Sequence, residues 1–222
     1  MVKIIVLFNH KGGVSKTTTT LNLGWMLAEK GKKVLLADFD PQCNLTGIIL
    51  DYQNSDDLNT LYEAHKNLNI KEGLSPAFDS QPTPISPTKC VVVPGVAGLF
   101  LLPGHIGLAE YEVTLGIAQE LSGSIMTLRN LPGSIHALLC KTAEQLGVDY
   151  ILVDTSPSLS AFNRNLLIFC YWYCYSFNIH RSMNLIFAFK IKYRILIITR
   201  HIRYEILRGL RFSETLLNNP IK

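Results

Sequence analysis

Hydrophobic positions fall along this chain in short blocks separated by punctuation. Lys3 to Phe8 (KIIVLF) is almost wholly apolar and partly β-branched, the composition of a parallel strand covered on both faces. From Thr17 to Lys30, Leu21, Leu23, Trp25, Met26 and Leu27 keep helix-compatible spacing, and Gly31 stands where a left-handed cap ends a helix. Lys33 to Asp38 (KVLLAD) repeats the strand pattern. Strand, helix and strand in this order predict a βαβ unit with a right-handed crossover.

Further along, Tyr52 to Thr88 is rich in Asn, Asp, Ser and Pro and reads as surface connection with short helical pieces, among them Leu58 to Asn67. Cys90 to Val93 and Leu99 to Leu102 are apolar runs, and Pro94, Gly95, Gly98, Pro103 and Gly104 mark the turns around them. Helical patterns follow at Gly107 to Leu121 and Ser134 to Leu146, the second closed by Gly147. Tyr150 to Val153 is a buried strand ending in Asp154. The alternation predicts an α/β fold: a doubly wound, mostly parallel sheet flanked by helices.

After Leu167 the pattern changes. The last 55 residues hold 11 of the chain's 21 aromatics but one of 15 glycines and one of 10 prolines, so turn signals are almost absent. Neither a two-residue nor a 3.6-residue apolar period is sustained there. The expectation is a P-loop domain over residues 1–167, its sheet incomplete at the C-terminal end. Residues 168–222 are expected to be an atypical basic and aromatic tail, out of frame or disordered.

Charge sharpens that division. The formal net charge of +4 conceals 12 Lys+Arg against 15 Asp+Glu in residues 1–167, a balance of −3, and 9 against 2 in residues 168–222, a balance of +7. Interleaved cations and aromatics could form a nucleic-acid or membrane footprint, yet charge without periodicity is a statement of composition. Tyr204 to Leu217 could form a short amphipathic membrane helix, a weaker reading. Leu166 to Phe177, the longest apolar and aromatic run, falls short of the roughly 20 residues of a spanning helix. The five cysteines have no paired metal spacing and nothing resembles a secretory segment, so a cytoplasmic location is expected and membrane binding is not.

The chemistry lies where the first strand meets the first helix, at Lys11-Gly12-Gly13-Val14-Ser15-Lys16-Thr17-Thr18. In the general pattern G-x-x-x-x-G-K-[ST], backbone N–H groups surround phosphates, the lysine reaches the terminal oxygens and the hydroxyl binds magnesium. Aligned on Lys16 and Thr17, the two pattern glycines are replaced by His10 and Ser15, while Gly12 and Gly13 fall inside the loop. Gly12 and Gly13 allow close approach of backbone to phosphate, and the following helix offers its N-terminus to the anion. His10 contributes backbone alone on this reading; Cys43 reads as a small buried thiol rather than a nucleophile.

With its extra leading lysine, this loop resembles the deviant phosphate loop of the ParA/MinD family of P-loop ATPases. Asp38-Phe39-Asp40-Pro41-Gln42 after the second strand and Tyr150-Ile151-Leu152-Val153-Asp154-Thr155-Ser156-Pro157-Ser158 as a Walker B segment strengthen the resemblance, which covers residues 1–167 and leans toward partition ATPases through Leu101-Leu102-Pro103-Gly104. The resemblance implies ATP and Mg2+ as ligands. It implies Lys16 on the β- and γ-phosphates, Thr18 on the α-phosphate, and Thr17 on magnesium with Asp154 holding the same ion through water. Asp40 is similar to the residue that orients the attacking water, and Asp38 would support the loops around the metal. Lys11 would cross a dimer interface and act in trans, so that two ATP-bound subunits pair face to face. Implied partners are a second copy of the chain, a centromere-binding ParB-like protein and nonspecific DNA, the last placing the protein on the nucleoid. The resemblance leaves two other readings open: a nucleotide-binding remnant without a catalytic cycle, and a MinD-like membrane-cycling regulator.

Overall fold

The computed structural model describes residues 2–9, 11–51, 60, 62, 63, 68–81, 83–121, 128 and 130–168 with side chains, and the backbone alone for residues 169, 172–178, 185–191 and 194–198. Strand β1 (Lys3–Phe8) leads through the glycine loop to helix α1 (Lys16–Glu29) and strand β2 (Val34–Asp38). Helices α2 (Asn44–Leu50) and α3 (Ile70–Phe78) precede β3 (Val91–Val92) and β4 (Leu99–Leu102). Helices α4 (Leu108–Leu121) and α5 (Leu131–Leu146), strand β5 (Tyr150–Asp154) and helix α6 (Ala161–Phe169) follow.

The sheet order is β3-β4-β2-β5-β1, continued beyond β1 by β6 (Trp172–Asn178), β7 (Leu185–Ile191) and β8 (Arg194–Ile198). Strands β4, β2, β5, β1 and β6 are mutually parallel, whereas β3, β7 and β8 pair antiparallel. Alternation along each strand divides the core between two faces. Ile4, Val6, Phe8, Leu35, Ala37, Ile151 and Val153 pack under α3, α4, α5 and α6. Ile5, Leu7, Val34, Leu36 and Leu152 pack under α1.

Register positions the chemistry. Strand β5 lies between β1 and β2, with Leu7 and Asp38 both paired to Asp154, so the C-terminal ends of three adjacent parallel strands converge at one place. The crevice outside such strand ends is where doubly wound sheets take their ligands. Gly31 and Gly147 adopt φ of +76° and +64°, the left-handed conformation expected for each as a helix terminator.

Three helices depart from the expected surface connection and strand pattern. Helix α3 contains Gly73 and Pro76, which argue against a helix by propensity, but the Asn69 side chain accepts from the Glu72 amide at 3.0 Å and Ile70 and Leu74 are buried. A Cβ at Gly73 would lie 2.3 Å from Thr88 Oγ1 and 2.8 Å from Leu138 Cδ1, so tertiary packing needs the glycine that propensity disfavours. Helix α2 is short, and α6 opens with an Asn-rich stretch. Beyond Leu167, where the sequence offered no turns, the backbone forms the three strands β6, β7 and β8; residues 199–222, with the Tyr204 to Leu217 segment, lie outside the described residues, as do His10 and most of Leu58 to Asn67.

Candidate functional site

The loop between β1 and α1 carries two left-handed residues, Gly13 at φ +67° and Ser15 at φ +60°. Ser15 occupies the position where the general pattern has glycine, and its backbone shows why: an L-residue there costs roughly 1–2 kcal/mol. Serine makes no side-chain cap on α1, and a helix N-terminus without such a cap is suited to an anion. Lys11, Gly12, Gly13, Ser15 and Thr18 are exposed, Val14 is buried beneath the loop and Thr17 is half-buried. The Lys11 amide donates to Asn9 Oδ1 at 2.9 Å, and the Lys11 carbonyl accepts the Lys16 Nζ at 3.3 Å, so the buried ammonium spans the inside of the loop.

Lys16, Thr17, Thr20, Asp40 and Asp154 come together below that loop. Burial lowers the Lys16 pKa, opposed by the charges of Asp154 and Asp40. For Asp154, burial raises the pKa to about 6; the neighbouring Thr17 hydroxyl pulls it down, Asp40 pushes it up and Lys16 pulls it down. Thr20 Oγ1 lies 3.0 Å from the Lys16 carbonyl and 3.5 Å from Asp154 Oδ1. Thr17, Asp40 and Asp154 therefore converge, as the sequence motifs require of a shared site.

Asp38 sits deeper than Asp40, fully buried, and its pKa is raised to about 7 by burial first and by the charge of Asp154 second. Its Oδ2 accepts from the Thr46 amide at 2.8 Å and the Thr46 hydroxyl at 2.7 Å; its Oδ1 accepts from the Asp40 amide at 3.2 Å. Asp40 turns its own Oδ1 onto the Gln42 amide at 3.0 Å.

On the other side, the β5–α6 loop lies against the glycine loop. Thr155 Oγ1 donates to the Leu7 carbonyl at 2.7 Å, and the Asn163 amide nitrogen donates to the carbonyls of Ser156 and Ser158 at 2.9 and 2.7 Å. Pro157, between them, approaches the Cβ position of Gly12 at 3.9 Å. Thr46, Gly104 and Asn163 were not singled out from sequence as site residues, because each acts through a contact distant along the chain.

One atom bears directly on a metal. Asp154 Oδ2 is buried and has no hydrogen-bond partner among the described residues. An unsatisfied buried carboxylate oxygen beside a threonine hydroxyl at a helix N-terminus fits a magnesium ion that keeps waters and phosphate oxygens in its shell. Among the described residues no group of three or more His, Cys, Asp or Glu forms a metal cage, and a magnesium–nucleotide site requires none.

A family model described as an AAA domain matches residues 2–173. A ParA family protein of Chlamydia trachomatis serovar D is 34% identical over 169 residues, covering 75% of this chain and 55% of that protein. The chain belongs to the ParA-type family of P-loop ATPases. The sporulation initiation inhibitor protein Soj of Bacillus subtilis is 33% identical over 167 residues, covering 75% of the chain and 54% of Soj. Among solved structures, a Borrelia burgdorferi B31 protein bound to AMPPNP matches with TM-score 0.54 and 26% identity over 79% of this chain and 61% of that one. The structure of pNOB8 ParA bound to nonspecific DNA matches with TM-score 0.52 and 28% identity over 79% of this chain and 54% of that one. The chain spans little more than half the length of these ParA-type relatives. No helix among the described residues is long and apolar enough to cross a membrane.

Proposed function

We propose that the chain binds ATP with magnesium in the loop of residues 11–18 and hydrolyses it, and that the nucleotide gates pairing of two copies in DNA partition. One observation carries this reading: Lys16, Thr17, Asp40 and Asp154, which are distant in sequence, meet around a left-handed loop at a helix N-terminus. That arrangement supplies a cation for phosphate oxygens, a hydroxyl and a carboxylate for a hard metal, and a second carboxylate for water. Magnesium, when bound, would neutralise charge that develops on the phosphates. Thr17 and Asp154 would hold it, Asp154 through water, while Lys16 would leave the Lys11 carbonyl for the phosphates and Thr18 would meet the α-phosphate.

Asp40 orients the attacking water on this reading. Its loop is kept at the site by Asp38, which accepts the Asp40 amide. Exposed Lys11 reaches across to the partner's nucleotide, where added positive charge stabilises the transition state as an arginine finger does. Support for the partition role is the kinship to the chromosome partitioning protein ParA of Caulobacter vibrioides and to a ParA whose structure holds nonspecific DNA. A ParB-like protein that stimulates turnover completes the cycle.

A magnesium-dependent ATPase assay on the full chain, beside a chain ending at Leu167, tests the reading. Turnover that requires magnesium and disappears in Lys16→Ala is the expected result. Absence of nucleotide binding in the full chain would overturn it. Loss of activity in the shortened chain is expected as well, because β6 pairs with β1 directly beneath the loop.

A further inference from the structure

We propose that Thr46 is a positioning residue for hydrolysis, one hydroxyl that ties the loop carrying Asp40 to the turn after β4. This rests on the reading of Asp40 as the water-orienting carboxylate. Thr46 Oγ1 donates to Asp38 Oδ2 at 2.7 Å and accepts the Gly104 amide at 2.9 Å. On the far side of the same carboxylate, Asp38 Oδ1 accepts the Asp40 amide at 3.2 Å. The relay thus runs from the Gly104 amide through Thr46 and Asp38 to the Asp40 backbone, and Thr46 and Asp38 are both fully buried.

Several features make the relay rigid. The Gly104 carbonyl accepts the Tyr62 hydroxyl at 3.1 Å, so both polar groups of that residue are held. A Cβ at Gly104 would lie 2.9 Å from the Asp38 carbonyl oxygen and 3.1 Å from both Asp38 Cγ and Cys43 Sγ, so the turn is seated directly on the end of β2. Thr46 also gives its own amide to Asp38 Oδ2 at 2.8 Å, which fixes the start of α2 to the same carboxylate. Hydrogen bonds in a buried network are directional and mutually reinforcing. Without the hydroxyl, the Gly104 amide loses its acceptor and Asp38 keeps two of three donors, so the Asp40 loop is held from one side.

The consequence falls on turnover rather than on nucleotide capture, because the side-chain hydrogen bonds of Thr46 go to Asp38 and Gly104 rather than to the phosphate loop. The test compares wild type, Thr46→Val, Thr46→Cys and Thr46→Ser by steady-state ATPase kinetics and by binding of ATPγS with magnesium. Expected are a kcat at least about tenfold lower in Thr46→Val with the ATPγS Kd within about twofold, and a kcat within about twofold of wild type in Thr46→Ser; tenfold corresponds to 1.4 kcal/mol. Should the valine variant fail to fold, the serine and cysteine pair decides, since cysteine keeps the volume but is a poor donor and acceptor. Amide exchange should accelerate at Gly104 and Asp40 in the slow variant and stay unchanged in β5. A kcat unchanged in both Thr46→Val and Thr46→Cys, or a parallel loss of Kd, would overturn the proposal. Wild type that binds but does not turn over ATP would instead overturn the reading of Asp40 on which it rests.

Discussion

Asp38 and Asp154 end adjacent parallel strands in direct register, one on β2 and one on β5, with both carboxylates buried. Burial is the main reason both resist ionisation, with pKa values raised to about 7 for Asp38 and about 6 for Asp154; the charge of Asp154 adds to the shift of Asp38, and the charge of Asp40 to that of Asp154.

A pH dependence follows from the sign of those shifts. Both folded-state pKa values lie above the ordinary carboxylate value of 3.8, so between about pH 4 and 7 the folded chain holds more protons than the unfolded one. Their contribution to stability is present at the acidic end of that window and is lost as pH rises through the folded values. The thermal midpoint of the nucleotide-free chain should therefore be higher at pH 5 than at pH 8, with a smaller difference in Asp38→Asn. Differential scanning fluorimetry across that range checks it; an identical pH profile in the variant contradicts it.

Ser15→Gly should stabilise the fold by about 1 kcal/mol, because glycine accepts φ +60° without the Cβ penalty that serine bears. Chemical denaturation gives the number. A destabilisation would mean that the loop tolerates serine through a contact that outweighs its backbone strain.

Gly104→Ala should destabilise by about 1–3 kcal/mol, since its Cβ would meet the backbone oxygen of Asp38 at 2.9 Å. The same substitution at Gly133, where nothing lies within 4 Å in the first turn of α5, should instead stabilise by about 0.5–1 kcal/mol. Equal effects at the two glycines in urea titrations would contradict the packing described.

Three lysine and aspartate substitutions separate binding, turnover and pairing. Lys16→Ala should abolish nucleotide binding, Asp40→Ala should retain ATP but stop turnover and lengthen the life of the dimer, and Lys11→Ala should bind as a monomer and fail to pair. Calorimetry and light scattering with ATP read these outcomes. An ATP-bound dimer that persists in Lys11→Ala would remove that lysine from the partner's site.

The site was legible in sequence where its residues are contiguous or sit at strand ends. Lys11 to Thr18, Asp38, Asp40 and Asp154 all belong to blocks whose apolar runs announce the strands that deliver them. Thr46, Gly104 and Asn163 were not, since their hydrogen bonds join segments far apart in the chain and no local pattern encodes them. The fold divided in the same way. Long strands and capped helices followed periodicity, while α3 was hidden by Gly73 and Pro76, whose cost is outweighed by burial of Ile70 and Leu74. In β6, β7 and β8 continuous aromatic and aliphatic residues without glycine or proline gave no boundaries to read.

Magnesium-dependent nucleotide affinity tests the central claim most directly. ATPγS is titrated into wild type and Asp154→Ala by calorimetry, each with magnesium and with EDTA. The structure predicts that magnesium tightens binding in wild type and that at least about tenfold of this gain disappears in Asp154→Ala, the scale expected for a residue that holds a metal through water. An equal gain in both proteins would contradict the account.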